Sequence, residues 1–178
     1  MKVIGICGLP GSGKSLIHEI AKDYNVIIYN MGDVIREEAL KRDMNTGDIA
    51  IQLRKEEGDN VVAKLTVERI KKNEYKNRLF IIEGIRSLFE VDFIKENFED
   101  FKLLSIFASP KTRFMRLKMR NREDDSNSLD EFKKRDEREL KFGIANVIVY
   151  SDYLIVNEYD FEDYKKKLRE FFKSIHVS

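Results

Sequence analysis

Eight residues near the N-terminus, Gly8-Leu9-Pro10-Gly11-Ser12-Gly13-Lys14-Ser15, satisfy the spacing G-x-x-x-x-G-K-[ST]. The residue types define a chemistry. Glycines let the backbone curl so that successive N–H groups point inward, and a helix starting behind them adds its positive end, which makes a nest for anions. Lys14 supplies a point charge for β- and γ-phosphates, and the Ser15 hydroxyl is a ligand for a Mg²⁺ ion that bridges them. The pattern follows a short apolar run, Val3–Cys7, and precedes a helical pattern, which is the context in which it is specific for a nucleoside triphosphate.

A phosphate cradle alone does not define a reaction, so the ends of the other apolar runs must supply the rest. After Val26–Tyr29 comes Asn30-Met31-Gly32-Asp33-Val34-Ile35-Arg36, with Asp33 and Arg36 one helical turn apart. Arg36 can hold an anion there, while Asp33 is either a helix N-cap or a group that orients the acceptor. After Leu79–Ile82 comes Glu83-Gly84-Ile85-Arg86, a carboxylate able to orient a Mg²⁺-bound water followed by a second arginine. Phosphoryl transfer is mainly positioning and charge neutralisation, so converging arginines suit a small-molecule kinase. Ser109-Pro110 then opens a helix carrying Arg113, Arg116, Lys118, Arg120 and Arg122. This basic run is expected to face the triphosphate. Beyond the polar bend at Glu123 to Asn127, Ser128-Leu129-Asp130-Glu131 forms a capping box for a helix bearing Arg135 and Arg138, a lid-like arrangement. Its apolar stripe, Leu129, Phe132 and Leu140, is thin and is interrupted by Asp136, so firm docking is not expected.

The elements that must position these groups form a βα series. The 178 residues suit one domain. Basic residues number 33 and acidic residues 32, and a net charge of +1 provides no global field for nucleic acid or an anionic membrane. No apolar run approaches the roughly 20 residues of a membrane span, so no membrane partner is expected and a cytoplasmic location is. RNA binding through the basic run is disfavoured because only Phe114 interleaves it. A single cysteine, Cys7, forms no internal disulfide, and with only His18 and His176 beside it a protein-liganded zinc is not expected. Cys7 fits a buried core position and His18 a structural or surface one. The apolar runs Val3–Cys7, Val26–Tyr29, Leu79–Ile82, Leu103–Phe107 and Tyr153–Val156 predict a five-stranded parallel sheet covered by helices on both faces. A last helix from about Phe161 to Ile175 should bury Phe161, Tyr164, Leu168, Phe171, Phe172 and Ile175. The stretch from Asp33 to Lys72 is mostly helical, with breaks near Asn45 and Gly58, and is too long for a simple crossover; it predicts a flap over the substrate.

Taken together, these motifs resemble the adenylate-kinase and nucleoside-monophosphate-kinase superfamily over most of the chain. The likeness rests on the loop Gly8 to Ser15, on Gly32-Asp33 with Arg36 as the acceptor segment, and on Gly84 with Arg86. It extends to Arg116 and Arg120 as adenine-side arginines, and to Arg122-Glu123-Asp124-Asp125 with Arg135 as the lid signature. The resemblance implies an α/β, three-layer P-loop NTPase fold with sheet order 2-3-1-4-5. It also implies a single domain over residues 1–178, with an acceptor flap at about 33–75 and a short lid at about 120–140. Adenine would lie near Asn157. Departures are Glu83 in place of the family's aspartate, the absence of a proline between Ile85 and Arg86, and a lid without a cysteine quartet. The chain is also similar to dephospho-coenzyme A kinases, in which a carboxylate at the position of Asp33 would act as general base on a ribose hydroxyl, and to an archaeal group related to both families.

The expectation is an ATP- and Mg²⁺-dependent phosphotransferase acting on a small nucleotide-like molecule, in the manner of a nucleoside monophosphate kinase. Its catalytic residues would be Lys14, Asp33, Arg36, Arg86, Arg122 and Arg135. Nucleotide would be bound by Gly8, Leu9, Pro10, Gly11, Ser12, Gly13, Lys14, Ser15, Arg116, Arg120 and Asn157, and metal by Ser15 and Glu83. Transfer to a ribose hydroxyl is one alternative. A regulatory NTPase switch without an acceptor, with Glu83 positioning water, is another. The acceptor, the choice of ATP or GTP and the oligomeric state stay open.

Overall fold

The computed structural model describes residues 1–72, 79–120 and 128–176. Five parallel strands, β1 (Lys2–Cys7), β2 (Ile27–Asn30), β3 (Leu79–Glu83), β4 (Asp100–Phe107) and β5 (Tyr153–Val156), form one sheet in the order β2-β3-β1-β4-β5. The register places Asn30 beside Glu83, Ile6 beside Glu83, and Cys7 beside Ser105. The strand ends that carry chemistry therefore meet along one edge of the sheet. β4 begins three residues before the apolar run, because Asp100 and Lys102 alternate outward while Phe101 turns inward.

Side chains alternate across the pleat and build two apolar layers. Val3, Cys7, Phe80, Ile82, Phe101 and Leu103 face one core, closed by α2 (Met31–Arg42), α3 (Thr46–Glu57), α4 (Val61–Lys72), α5 (Leu88–Asn97) and α8 (Ile144–Val149). Ile4, Ile6, Leu79, Ile81, Leu104 and Ile106 face the other, beneath α1 (Leu16–Ala21) and α9 (Phe161–His176). Burial on both faces is why the strands are apolar runs rather than alternating ones. In α9 the expected stripe is buried from Tyr164 to Ile175, but Phe161 is exposed. Tyr164 already reaches the loop beyond the sheet, so the preceding turn has no sheet beneath it.

The helical stretch breaks where expected. Asn45 accepts from the Asp48 N–H at 2.9 Å and starts α3, and Gly58, at φ +96°, ends it. The start of α2 corrects one expectation: the cap is Asn30, whose side-chain Oδ1 accepts from Gly32 N–H at 2.7 Å, and Asp33 lies inside the first turn. α6 (Pro110–Arg120) and α7 (Leu129–Phe142) complete the chain order. In α7 the inward face is Phe132 with Glu139, while Leu129 and Leu140 are about half exposed. Among the described residues no helix is long and apolar enough to cross a membrane.

Candidate functional site

β1 ends beside β4, and the chain leaves it at Gly8 with φ +148°, where a Cβ would sit 2.5 Å from the Ile106 carbonyl oxygen. Gly13 has φ +102°, and its missing Cβ makes room for the Asn157 amide. Only glycine permits either approach. The loop is held from outside by residues far away in sequence. Asn157 Nδ2 donates to Ser12 O at 2.8 Å, Tyr164 OH donates to Gly13 O at 2.9 Å, and Arg113 Nη1 donates to Pro10 O at 3.2 Å. Burial pushes the Tyr164 hydroxyl well above its ordinary pKa, so it stays a neutral donor. Asn157 is itself gripped by Arg116, which donates to its backbone and side-chain oxygens at 3.0 and 3.1 Å.

Inside the curl, the Ser12 hydroxyl is fully buried and has no hydrogen-bond partner among the described residues. A buried polar atom left unpaired costs free energy that an incoming acceptor or donor would recover. Lys14 Nζ donates to Gly8 O at 2.6 Å and to Leu9 O at 3.2 Å. Burial lowers its pKa, while the nearby carboxylates of Glu83 and Glu139 oppose that shift. Ser15 stands exposed at the head of α1, and its side chain makes no capping bond. Cys7, by contrast, is buried against Ser105 Oγ at 2.8 Å, and burial pushes its thiol up to about 11, so it is no nucleophile at neutral pH.

The remaining predicted residues divide into three groups. Glu83 stands at the end of β3, mostly buried, and its carboxylate meets the exposed His18 ring from α1. Arg86 follows, with Nε 2.9 Å from Glu139 Oε2. Asp33 and Arg36 pair with each other at the surface, both more than half exposed. Arg135 is half-buried on α7, and Arg120 closes α6 in an exposed position. Arg122 lies outside the described residues.

Several charged residues of the site were missed by sequence reasoning. Arg113, expected to face the triphosphate with its basic neighbours, is almost fully buried; it forms a two-pronged pair with Asp136, 2.7 Å at Nη1, and donates from Nε to Ala108 O at 3.1 Å. Asp136 is thus what docks α7, with Phe132 packed 5.0 Å beneath the same guanidinium. Buried Glu90 receives Arg54 Nη2 at 2.6 Å on one oxygen and the Arg86 N–H at 2.7 Å on the other. Phe142 lies 4.6 Å from the Arg54 guanidinium and 5.9 Å from that of Arg86. One signal was available: Phe132, Asp136 and Glu139 recur at helical spacing, one stripe of α7 whose polar members pair with Arg113 and Arg86.

The sheet order, the glycine-lined loop after β1 and the lysine returning to that loop define a P-loop fold of the kinase-like kind. Consistent with this, residues 7–133 match a family model described as an AAA domain. The chain belongs to the UPF0200 family: it is 47% identical over 175 residues to the UPF0200 protein of Methanothermobacter thermautotrophicus, spanning 98% of this chain and 91% of that protein. Among solved structures it is similar to TT1252 from Thermus thermophilus, with TM-score 0.64, 20% identity and 97% of each chain covered. It is also similar to shikimate kinase from Bacteroides thetaiotaomicron, with TM-score 0.59, 16% identity and 98% of each chain covered. At these identities the two structures define the fold alone.

Proposed function

We propose that the chain is a P-loop phosphotransferase that moves the γ-phosphoryl group of ATP to a small nucleotide-like acceptor. The observation that carries this reading is the pre-shaped cradle itself. A buried, unpaired Ser12 hydroxyl and a lysine resting on its own loop carbonyls sit at the sheet edge where an arginine-bearing strand end also arrives. Phosphate oxygens would accept from Ser12 and from Lys14, and Lys14 would exchange its carbonyl partners for them. Arg116 would support the adenine side through its hold on Asn157.

The donor set also fits a magnesium ion. The Ser15 hydroxyl is not spent on capping, and Glu83 stands on the neighbouring strand end, so these two residues would hold Mg²⁺ directly or through water. A bound ion there would supply charge neutralisation for the transferring phosphoryl group. The acceptor would lie between α2 and the Gly84–Arg86 turn, covered by residues at about 33–75 as a flap, of which 73–75 lie outside the described residues, while residues at about 120–140, of which 121–127 lie outside them, would form a lid whose α7 part is pinned by the Asp136–Arg113 pair. Arg36 and Arg86 would clamp it, with Arg122 and Arg135 contributed by the lid. With ATP as the donor, the compartment would be the cytoplasm.

A coupled assay with ATP, Mg²⁺ and AMP, CMP, UMP, GMP or dephospho-coenzyme A tests the reading. Lys14→Ala is expected to lower turnover on every accepted substrate by about a thousandfold or more, since it removes charge stabilisation from the transferring group. Full activity in that variant would remove the donor assignment. The rival reading, an NTPase switch without an acceptor, predicts ATP hydrolysis that none of the five acceptors changes.

A further inference from the structure

α7 carries a carboxylate that no substrate-facing role has yet absorbed. Glu139 is buried, its Oε2 lies 2.9 Å from Arg86 Nε, and its charge is among those acting on Lys14. It is therefore paired with the arginine assigned above to the acceptor, and its charge reaches the donor lysine. The helix presenting it is anchored on both sides. Three residues earlier, Asp136 is locked to buried Arg113, which also donates to the phosphate loop at Pro10 O. Three residues later, Phe142 lies beneath Arg54 and Arg86. Withdrawing Glu139 would mean breaking a buried, two-pronged ion pair, so the carboxylate is a fixed part of the site.

We infer that Glu139, rather than Asp33, is the carboxylate that takes the acceptor's proton, and that the acceptor presents a hydroxyl rather than a phosphate to the reacting γ-phosphorus. The inference rests on the phosphotransfer reading above. A dianionic phosphate held at Arg86 would lie against a fixed, buried carboxylate, and like charges that close repel. An alcohol meets no such penalty, and its attack requires a base. Asp33 is the poorer candidate because it is more than half exposed, whereas Glu139, likewise paired with an arginine, is buried. In the step itself the acceptor oxygen bonds to the γ-phosphorus, and its proton passes to the Glu139 carboxylate. The bond from that phosphorus to the β–γ bridging oxygen breaks, and its electron pair leaves on ADP. The product is a phosphomonoester, and Glu139 then returns the proton to water.

Two measurements decide the matter. With Mg²⁺ and a non-hydrolysable ATP analogue filling the donor site, AMP is titrated calorimetrically into the wild type, Glu139→Gln and Glu139→Asp. The glutamine variant should bind AMP at least about tenfold more tightly than the wild type, and the aspartate variant, which keeps the charge, should not. With ATP and dephospho-coenzyme A, whose ribose hydroxyl is free, kcat should fall by roughly 10²–10⁴ in Glu139→Gln, while KM for ATP stays within about twofold. Glu139→Asp, with its shorter reach, should lose about tenfold or more, and serves where the glutamine variant melts below the assay temperature. Equal AMP affinity in the wild type and Glu139→Gln overturns the inference, as does ADP formation from AMP at equal rates in the two. If the wild type and Lys14→Ala bind the ATP analogue alike, the phosphotransfer reading fails whatever Glu139 does; if Lys14 matters and Glu139 does not, only the present assignment falls.

Discussion

The two shoulders of the site are built in opposite ways. On the phosphate-loop side, long-range contacts run from a buried side chain to a main-chain carbonyl: Asn157 to Ser12, Tyr164 to Gly13, Arg113 to Pro10. On the α2–α4 side, charged groups pair with one another at the surface: Arg36 with Asp33, Arg42 with Glu56, Arg69 with Glu37. In the second set the arginines at 42 and 69 are pushed up and their glutamates down, chiefly through the hydrogen bonds between them, yet exposed pairs exchange partners with water and salt at little cost. The first shoulder is shaped before ligand arrives. The second keeps arginines in pairs that an anion can replace. On the phosphotransfer reading, a donor phosphate is the same in every reaction and would be met by fixed backbone, while an acceptor must be selected, which side chains would do.

The contrast can be broken most severely at Asp136. Asp136→Ala leaves the Arg113 guanidinium buried without its counter-charge, and such half-removed pairs cost about 3–5 kcal/mol. Urea denaturation should show a loss of that order, accompanied by weaker ATP binding because Pro10 is held by the same arginine. A change below about 1 kcal/mol would mean that α7 is not anchored through this pair. Asn157→Ala is the next test. It removes the donor to Ser12 O and the side-chain acceptor of Arg116, and an unsatisfied buried group costs about 1–3 kcal/mol. Its nucleotide affinity should fall with its stability, since the two share one loop.

The legibility of these parts follows from how local they are. Gly8 to Ser15 is contiguous, and the strands are apolar on both faces, so periodicity and a motif suffice to place them. The breaks at Asn45 and Gly58 were equally visible, because capping and positive φ are one-residue properties. What sequence could not show was pairing across distance. Arg113 looks like its neighbours Arg116 and Arg120 in a basic run, and only the fold decides that it turns inward to Asp136, 23 residues on. Asp136 broke the apolar pattern of α7 and so argued against docking, when it is the docking group. The inward face of α7 is charged because its carboxylates pair with Arg113 and Arg86, and a search for apolar stripes selects against such a face. Asp33 was ambiguous for the converse reason: Asn30, three residues earlier, supplies the cap that Asp33 was free to supply.

Arg36→Ala gives the smallest expected change in stability and the sharpest test of the two-shoulder picture. Both partners of its ion pair are more than half exposed, so the melting temperature should stay within about 1–2 °C of the wild type. The acceptor KM should nonetheless rise about tenfold, with KM for ATP unchanged, if Arg36 gives up Asp33 to hold the acceptor. A large melting shift would show that α2 depends on the pair, and the acceptor shoulder would then be as pre-shaped as the donor one. Unchanged KM for every accepted substrate would move the anion site away from α2 and leave Arg86, beside Glu139, as the residue that meets the acceptor.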